Sequence, residues 1–494
     1  MLNVVVFLPL ASAAVLLSPA VGERLARWLF VAVTAVDFLL VVGLWLAYDP
    51  QAGLAYETKV SWIPTIGVGY HVGVDGLSLP LVALTAGLFL ACAVYSLRQT
   101  VRVRAFVALF LFLQTVALGL FTALDLILFF VYFDLSIVGM YFVIAGWGHG
   151  NAARSALKFF LYTFIGSLAL LLGFLGLYLS AQPRTFDMVA LAEQMPLAGN
   201  TLRGGLVLLA LVLGLAVKTP TVPFHTWLPP AHTDAPAAGS AILAGVLLKM
   251  GTYGFVRIAM PLLPAEWRRY AWVIVVVGVA SVVYGALVAL AQTDFKRMVA
   301  YTSVNHMGYI IFAVGAAGLL AGSDAQARAL AVTGAVTQMV SHGLITGALF
   351  LLSGVLYARG GTYDMRAYGG WAGPAPAFAG LTAVAAFASL GLPGFSGFIA
   401  EFQVFTGTLG PAPVATVVAL LGILLTAALF LWALQRVFLG ELRTPAAQPT
   451  DVNRVEVAAV APLLGLALVI GVFPRFLLDV IEPASRAVVT LVAR

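Results

Sequence analysis

Charged residues and cysteine are scarce in this chain of 494 residues. Only 9% of the residues are charged, 62% are hydrophobic, and the mean hydropathy is +1.04. A water-soluble fold would have to hide most of that apolar surface, so soluble classes are excluded. Segments such as 206–217 and 272–280 are apolar on every face and lack the alternation of a membrane β-barrel. The composition therefore predicts an all-α polytopic membrane protein.

The single cysteine, Cys92, excludes an intramolecular disulfide and cysteine-ligated iron–sulfur or zinc centres. The phosphate-binding pattern GxxxxGK[ST] and the zinc-protease pattern HExxH are both missing from the sequence. The net charge of +6 is not concentrated in a Lys/Arg cluster with interleaved aromatics, so nucleic-acid binding is not indicated. We therefore expect no metal and no cofactor in this chain, and any redox centre in a partner.

Apolar runs between turn residues and charges predict about fourteen membrane-spanning helices. The connections at 48–76, 181–203 and 440–455 are the longest, and they are too short to be folded domains. The predicted helices lie near residues 2–20, 27–47, 77–97, 105–122, 124–147, 155–180, 204–227, 236–260, 271–292, 297–320, 329–357, 376–408, 412–438 and 456–480.

Basic residues are unevenly distributed over the predicted loops. Loops after odd-numbered helices, with Lys296 counted among them, hold about twice as many Lys and Arg residues as loops after even-numbered helices. Basic loops stay on the cytoplasmic side of a membrane. The bias therefore predicts a multi-pass protein of the cell (inner) membrane with both termini on the outer, periplasmic side.

Ionisable side chains inside the predicted helices are the candidate functional residues. A charge near the bilayer centre costs at least about 2.5 kcal/mol, so it usually persists for a reason. Each one alone also has a structural interpretation, as a snorkelling lysine or a hydrogen-bonded packing histidine. Their number, and the mixture of acids and bases, instead favours a proton relay in which desolvation weakens each charged form. The candidates are Asp134, Lys158, Lys218, Lys249, His306, His342 and Glu401.

Two of these candidates adjoin predicted helix breaks. Lys218 comes just before Pro220, and Glu401 comes eight residues after Pro393. Proline removes a backbone donor, and unwound backbone at membrane depth is tolerated only against protein or water. Ordinary proline kinks are the alternative. Breaks in helices seven and twelve, five helices apart, predict two inverted five-helix repeats formed by helices 4–8 and 9–13.

This repeat divides the chain into four parts. Residues 1–104 hold helices 1–3, residues 105–260 hold the first repeat, residues 271–438 hold the second repeat, and residues 439–494 hold a loop and helix 14. Two further histidines, His225 and His232, flank a Trp-Leu-Pro-Pro segment. Their spacing is compatible with metal ligation, but we interpret them as structural loop residues.

Four long motifs carry a family resemblance: VKTPTVPFHTWLPPAHTDAP, ALAQTDFKRMVAYTSVNHMGY, QMVSHGLITGALFLLSGVLYARGGT and FASLGLPGFSGFIAEFQVF. With them the chain resembles the antiporter-like, proton-translocating subunits of respiratory complex I over about residues 125–440. Within that family it is most similar to the M-type subunits of bacterial NADH–quinone oxidoreductase. Glu401, where L- and N-type subunits usually carry lysine, favours the M type, as does the chain's end shortly after helix fourteen.

The resemblance implies fourteen core helices with inverted repeats and broken helices seven and twelve. It implies proton uptake from the cytoplasmic side, transfer along the membrane centre and release to the outer side, coupled to quinone reduction elsewhere. NADH, FMN, iron–sulfur clusters and quinone are then expected in partner subunits, with antiporter-like subunits L and N as neighbours. The implied positions are Asp134 at the helix-five acid, Lys218 as its lysine partner, Lys249 as the central lysine, His306 and His342 as linking residues, and Glu401 as the terminal acid.

The sequence departs from the family pattern around Asp134. Aspartate in place of the usual glutamate withdraws the carboxylate by roughly 1.5 Å, one carbon–carbon bond. Gly139 occupies the place of a common proline in the same helix, and Pro230 replaces a usual aspartate. A direct contact between Asp134 and Lys218 then needs a backbone shift at Gly139 or a bridging water.

Three functions are compatible with these observations. The first is a proton-translocating subunit of an NADH–quinone oxidoreductase, or of a complex I relative with a different electron donor. The second is a subunit of an Mrp-type cation/proton antiporter, for which only the region of Glu401 offers a carboxylate beside unwound backbone. The third is a structural spacer that has lost transport. The complete set of relay residues favours the first.

Overall fold

The computed structural model describes residues 1–494 except 17, 19, 200, 323, 445–448 and 494, and the side chain of residue 201. Within the described chain, ten helices are long and apolar enough to cross a membrane. The remaining predicted spans appear as shorter, more polar or broken helices. The predicted class, an all-α polytopic membrane protein, is confirmed.

The elements follow one another in this order: α1 (Leu2–Val15), α2 (Glu23–Leu46), β1 (Ala55–Ile63), β2 (Val68–Val74), α3 (Leu79–Tyr95), α4 (Val103–Thr122), α5 (Leu126–Trp147), α6 (Ala152–Ser180), α7 (Met188–Gln194), α8 (Thr201–Lys218), α9 (Leu228–Asp234), α10 (Ala237–Leu262), α11 (Pro264–Leu290), α12 (Phe295–Ala316), α13 (Ala325–Gly360), α14 (Pro376–Ser389), α15 (Ser396–Leu409), α16 (Pro413–Phe438), α17 (Arg454–Val472) and α18 (Arg475–Ala493).

Side chains placed just before the helices determine where several of them begin. Asp125 precedes α5 and accepts hydrogen bonds from the amides of Ile127 and Leu128. Asp294 does the same for α12 through the amide of Arg297. At α17, Asn453 forms a reciprocal capping box with a glutamate. These carboxylate and amide groups satisfy the free N–H groups of the first helical turn.

The two ends of the helix bundle differ in structure. We call one the hairpin end, because the antiparallel pair β1 and β2 covers it, with turn residue Gly67 at φ +68°. The other, the basic end, carries the short loops 148–151, 291–294 and 361–375. Residues near both ends of the chain lie at the hairpin end, since Asn3 contacts the hairpin and Arg268 at the start of α11 donates to the carbonyl of Val492.

The hairpin was not predicted. Residues 48–76 were interpreted as a plain connection, because strands this short give no helix-like or membrane-spanning signal. The pair of strands is stable here because its inner face packs on the helix bundle: Val68, Val72 and Val74 are at most 1% exposed. A two-stranded hairpin alone would be marginal in water.

The breaks in predicted helices seven and twelve are present. The first helix stops at Lys218, residues 219–227 are not helical, and the chain resumes as the short α9. The second stops at Ser389 and resumes at Ser396. Both breaks lie where the sequence places prolines, which remove the donor needed to continue the ladder.

The C-terminal prediction was wrong in one respect. Helix fourteen was expected near 456–480, whereas α17 ends at Val472 and a separate helix, α18, follows Pro474. One face of α18 is buried, including Val480, Ile481 and Val492, and the other is exposed. Its buried residues recur at helical spacing and its charged residues lie between them, which is the pattern of an amphipathic helix that packs against other helices.

A carboxylate cluster joins the hairpin to the bundle. The Asp187 carboxylate lies 2.7 Å from Nζ of Lys59 and 2.7 Å from Nδ1 of His71, and it accepts the amide of Ala190 at 3.0 Å. Burial by itself raises the pKa of Asp187, but the hydrogen bonds from His71 and Lys59 outweigh it and hold the pKa below its usual value. The ionised form is therefore favoured in the folded protein.

Asp187→Asn is expected to lower the free energy of unfolding at pH 7 by about 2 kcal/mol, since hydrogen bonds to an ionised group are lost. Because the pKa is lowered, the stabilisation is present above pH about 4 and is lost as the pH falls further. Thermal unfolding of the wild type and the variant in detergent, at pH 7 and again below about pH 4, measures the difference in stability. Asp49→Asn, at an exposed loop residue, is the control, with a change within about 0.5 kcal/mol. An Asp187→Asn difference that grows as the pH falls would contradict the expected sign.

Candidate functional site

Lys249 lies at the centre of α10 and is fully buried. Its Nζ donates to the carbonyl of Ala244 at 2.6 Å and lies 2.5 Å from Nδ1 of His342 on α13. Two π-helical turns, Leu243–Leu247 and Phe255–Ala259, flank it within α10. A π-turn inserts one residue into the helix and rotates the next turns about the axis, and such turns are common at functional sites. The sequence predicted both Lys249 and His342 as candidates, and the structure brings them into direct contact.

Further polar side chains on α12, α13 and α14 lie next to the contact between Lys249 and His342. The rings of His342 and His306 have centroids 5.4 Å apart. His306 Nε2 lies 3.2 Å from the hydroxyl of Ser389, and its Nδ1 lies 3.1 Å from the amide of Gln338. Both histidines are at most 4% exposed. Ser389 is the last residue of α14, so this series of contacts ends at the start of the second break.

Glu401 lies on α15, beyond the second break, and is 4% exposed. A Cβ added at Gly391 would overlap Oε2 of Glu401, so the carboxylate rests directly against the unwound backbone. Gly391 also has φ +78°, which strains any other residue. We call Lys249, His342, His306, Ser389 and Glu401 the buried line. It joins the middle of α10 to the second break with polar groups only.

The expected ion pair between Asp134 and Lys218 is not formed directly. Nζ of Lys218 donates instead to Oγ of Ser136 at 2.8 Å and lies 4.7 Å from the ring centroid of Phe133. Among the described residues, no carboxylate oxygen of Asp134 lies within 4.0 Å of that ammonium, and its Oδ1 has no hydrogen-bond partner. Ser136 lies two residues further along α5 and accepts the hydrogen bond of Lys218 in place of an acid. Sequence reasoning missed this serine because a hydroxyl inside a helix usually bonds its own backbone.

The first break packs against the helix that carries Lys249. Thr219, which comes directly after Lys218, packs on Gly251, where an added Cβ would overlap the Thr219 hydroxyl. Gly251 lies two residues after Lys249 on α10. Close approach at a glycine therefore positions the unwound segment against the helix that carries the central lysine.

One of the other predicted residues, Lys158, has surroundings that differ from those expected. Lys158 was predicted as a supporting relay residue, but it is exposed, and its Nζ donates to the carbonyl of Thr226 at 2.8 Å. The structure leaves it outside the buried line. His225 does lie in the unwound segment, where its ring packs edge-on to Tyr284 at 5.0 Å. Pro220 and Pro393 lie in the two breaks, as predicted.

The interpretation of His232 as a loop residue was wrong. It lies in α9, is fully buried, and stacks on Phe350 with ring centroids 4.5 Å apart. Lys296 was counted as a loop cation, yet it lies in the first turn of α12 and is also fully buried. Helical spacing contained a signal for it: residues 296, 303 and 306 share one face, which is the face of His306.

The segment 123–426 matches the protein family described as NADH:quinone oxidoreductase/Mrp antiporter, TM. NADH-quinone oxidoreductase subunit M of Rhodobacter capsulatus is 38% identical over 501 aligned residues, covering 98% of this chain and 95% of that protein. F(420)H(2) dehydrogenase subunit M of Methanosarcina mazei is 38% identical over 462 residues, covering 92% of this chain and 91% of its own.

Two solved structures have the same fold. A chain of respiratory complex I from Thermus thermophilus with bound NADH superposes with a TM-score of 0.90 and 30% identity, covering 100% of both chains. A chain of the Mrp complex from Dietzia sp. DQ12-45-1b superposes with a TM-score of 0.86 and 22% identity, covering 100% of this chain and 99% of its own. The second likeness concerns the fold alone.

Proposed function

This chain belongs to the NADH:quinone oxidoreductase/Mrp antiporter family, and from that premise we propose that its buried line is the path along which it moves protons. Family and relatives support an antiporter-like, proton-translocating membrane subunit of complex I, of the M type. The Mrp-type alternative is the more distant match. The observation that carries the proposed path is the contact between Lys249 and His342, because it joins α10 to the groups that lead to Glu401.

Each step of this path moves a proton between a base and a neighbouring acid. The Lys249 ammonium donates its proton to a ring nitrogen of His342, which leaves Lys249 neutral and His342 charged. His342 protonates His306 beside it, and the Ser389 hydroxyl passes the proton on across the break to the Glu401 carboxylate. Water bridges the separations that exceed hydrogen-bonding distance. Such transfer needs groups whose charged and neutral forms are close in energy, and burial of both lysine and glutamate brings them there.

Lys218 and Asp134 would regulate the supply of protons to Lys249. With Nζ on Ser136, the Lys218 charge lies close to the first break and repels a second charge on α10. A water between Asp134 and Lys218, or a shift of α5 at Gly139, would draw that charge towards the carboxylate and lower the repulsion. The two positions of one ammonium give the switch that a pump needs.

The inverted repeats are supported by a detail of the backbone. Leu126 donates to the carbonyl of Phe186, and Met188 donates to the carbonyl of Leu124. The same pair of hydrogen bonds recurs in the second half of the chain. There Phe295 donates to the carbonyl of Tyr363, and Met365 donates to the carbonyl of Thr293. The first pattern lies at the hairpin end and the second at the basic end, as an inverted repeat requires. We propose residues 105–260 and 271–438 as the two repeats.

The assembly around the chain is proposed from its relatives. Antiporter-like subunits of the L and N types are the proposed neighbours, and quinone, FMN, iron–sulfur clusters and the donor site are proposed to lie in other subunits. The basic end is proposed to face the cytoplasm and the hairpin end, with both termini, the outer side. NADH is the proposed donor. A relative named as an F(420)H(2) dehydrogenase subunit makes F(420)H(2) the alternative donor.

The experiment isolates the intact assembly in mild detergent, identifies its subunits, and reconstitutes it in liposomes. Proton uptake is measured with a pH-sensitive dye while NADH or F(420)H(2) drives quinone reduction. Copurifying flavin and iron–sulfur subunits with donor-driven proton movement support the proposal, and the active donor decides between the two. Proton movement that needs a sodium gradient and no redox subunit would assign the chain to the antiporter class instead.

A further inference from the structure

A buried lysine outside the proposed path lies one turn inside the basic end. Lys296 is 0% exposed, and its Nζ donates to the carbonyl of Ala235 at 2.5 Å and to that of Thr233 at 3.4 Å. It also lies 5.1 Å from the ring centroid of Tyr363. Among the described residues, no carboxylate comes within 4.0 Å of it. The carboxylates of Asp294 and Asp234 act on it from beyond that distance and offset only part of the lost hydration, so the buried ammonium keeps its proton weakly.

His232 lies between this lysine and the buried line. It precedes the two carbonyls that Lys296 binds, and the positive charges of both Lys296 and Lys249 act on its ring. The ring is fully buried, and neither nitrogen has a hydrogen-bond partner among the described residues. A neutral imidazole always has one donor and one acceptor nitrogen. Two buried, unpartnered nitrogens therefore indicate that something outside the chain, such as water, meets this ring.

On its other side, Lys296 is connected to the surface of the basic end through the rings of Tyr363 and His149. His149, half-buried in the loop after α5, packs on Tyr357 and Tyr363 with ring centroids 4.9 and 5.5 Å away. Tyr363 is the ring beneath the Lys296 ammonium. Burial and then the charge of Lys296 lower the pKa of His149 below its usual value. His149 is therefore neutral at neutral pH and can accept a proton from water at the surface.

We propose that Lys296 is the proton-uptake residue of the basic end and feeds Lys249 through His232. This rests on the proposed function of the buried line. A proton from surface water, relayed by His149, binds the neutral amine of Lys296. The Lys296 N–H bond then breaks as the proton forms an N–H bond on His232, and the His232 proton passes to the neutral amine of Lys249. No electrons are transferred, and each donor returns to its starting form.

The competing interpretation is that Lys296 only caps the end of α9, whose last carbonyls it binds. Both roles need a cation at this position, but only proton uptake needs one that can become neutral. Arginine keeps the charge and the donors and does not release its proton in proteins. Lys296→Arg therefore separates the two roles.

The test reconstitutes the intact complex in liposomes and compares Lys296→Arg, Lys249→Met and the wild type. Lys296→Arg is expected to assemble, to reduce quinone at the wild-type rate when uncoupler is present, and to lose about 100-fold of donor-driven proton uptake. Lys59→Arg, the same change at an exposed lysine of the hairpin, is the matched control and should pump normally.

Each outcome decides the proposal. Normal pumping by Lys296→Arg overturns it and leaves α9 capping as the role of Lys296, while loss in Lys249→Met keeps the proposed function. Normal pumping by both variants overturns the proposed function as well. If Lys296→Arg fails to assemble, His232→Phe decides instead, since phenylalanine preserves the stacking on Phe350 and removes both nitrogens. Pumping by His232→Phe at the wild-type rate overturns the proposal.

Discussion

Replacing Lys249 with methionine is expected to abolish proton translocation while the complex still assembles. Methionine fills a similar volume in a fully buried position and has no proton to exchange, so the His342 ring loses the group that supplies it. Removing a proton-transfer group costs about 100-fold or more in rate. Dye-monitored acidification of proteoliposomes during quinone reduction measures the loss, and the uncoupled quinone-reduction rate reports the integrity of the complex.

The matched control for Lys249 is Lys59→Met. Lys59 is exposed in the hairpin and contacts Asp187 rather than any residue of the buried line, so its loss should change pumping by less than about twofold. Wild-type pumping by Lys249→Met in an assembled complex would remove this lysine from the path. A complex that fails to assemble gives no such answer, and Lys249→Arg then provides it, because arginine keeps the charge without releasing a proton.

Replacing Glu401 with glutamine is expected to stop proton release and to reduce net translocation by about 100-fold. The amide keeps the size of the side chain against Gly391 and cannot bind and release a proton. Initial rates of proton uptake and of uncoupled quinone reduction, measured on the same preparation, separate this effect from loss of the complex. Glu401→Asp is the control, since it keeps the carboxylate.

A second change tests the geometry at the same acid. Gly391→Ala places a Cβ where the Glu401 carboxylate now lies and strains a residue at φ +78°, so the acid is displaced without a change in its chemistry. We expect pumping between the wild-type rate and that of Glu401→Gln. Glu401→Gln with normal pumping would show that protons leave by another route.

The buried line was predictable residue by residue, but not as a set of contacts. Lys249, His306, His342 and Glu401 were identified because ionisable groups at membrane depth are costly and therefore rare. Which of them meet depends on helix rotation. In α10 that rotation is set by two π-turns, which involve no special residue type that a sequence pattern would reveal.

Two lysines show where local sequence reasoning fails. Lys158 and Lys296 both lie near helix starts, and by composition the first looked like a relay residue and the second like a loop cation. The structure exposes Lys158 and buries Lys296 completely. A lysine near a helix end is buried or exposed according to what the neighbouring helices cover, and that information is not local.

The sequence by itself determined the class of protein and the places where two of its membrane-spanning segments break. These follow from local physics, because a bilayer requires about 20 apolar residues per span and proline removes a backbone donor wherever it occurs. Only the tertiary structure decided that Lys218 rests on Ser136 rather than Asp134, that Lys249 touches His342, and that a hairpin covers one end. Contacts of that kind join residues many turns apart in the chain, so the packing of the helices against one another determines them.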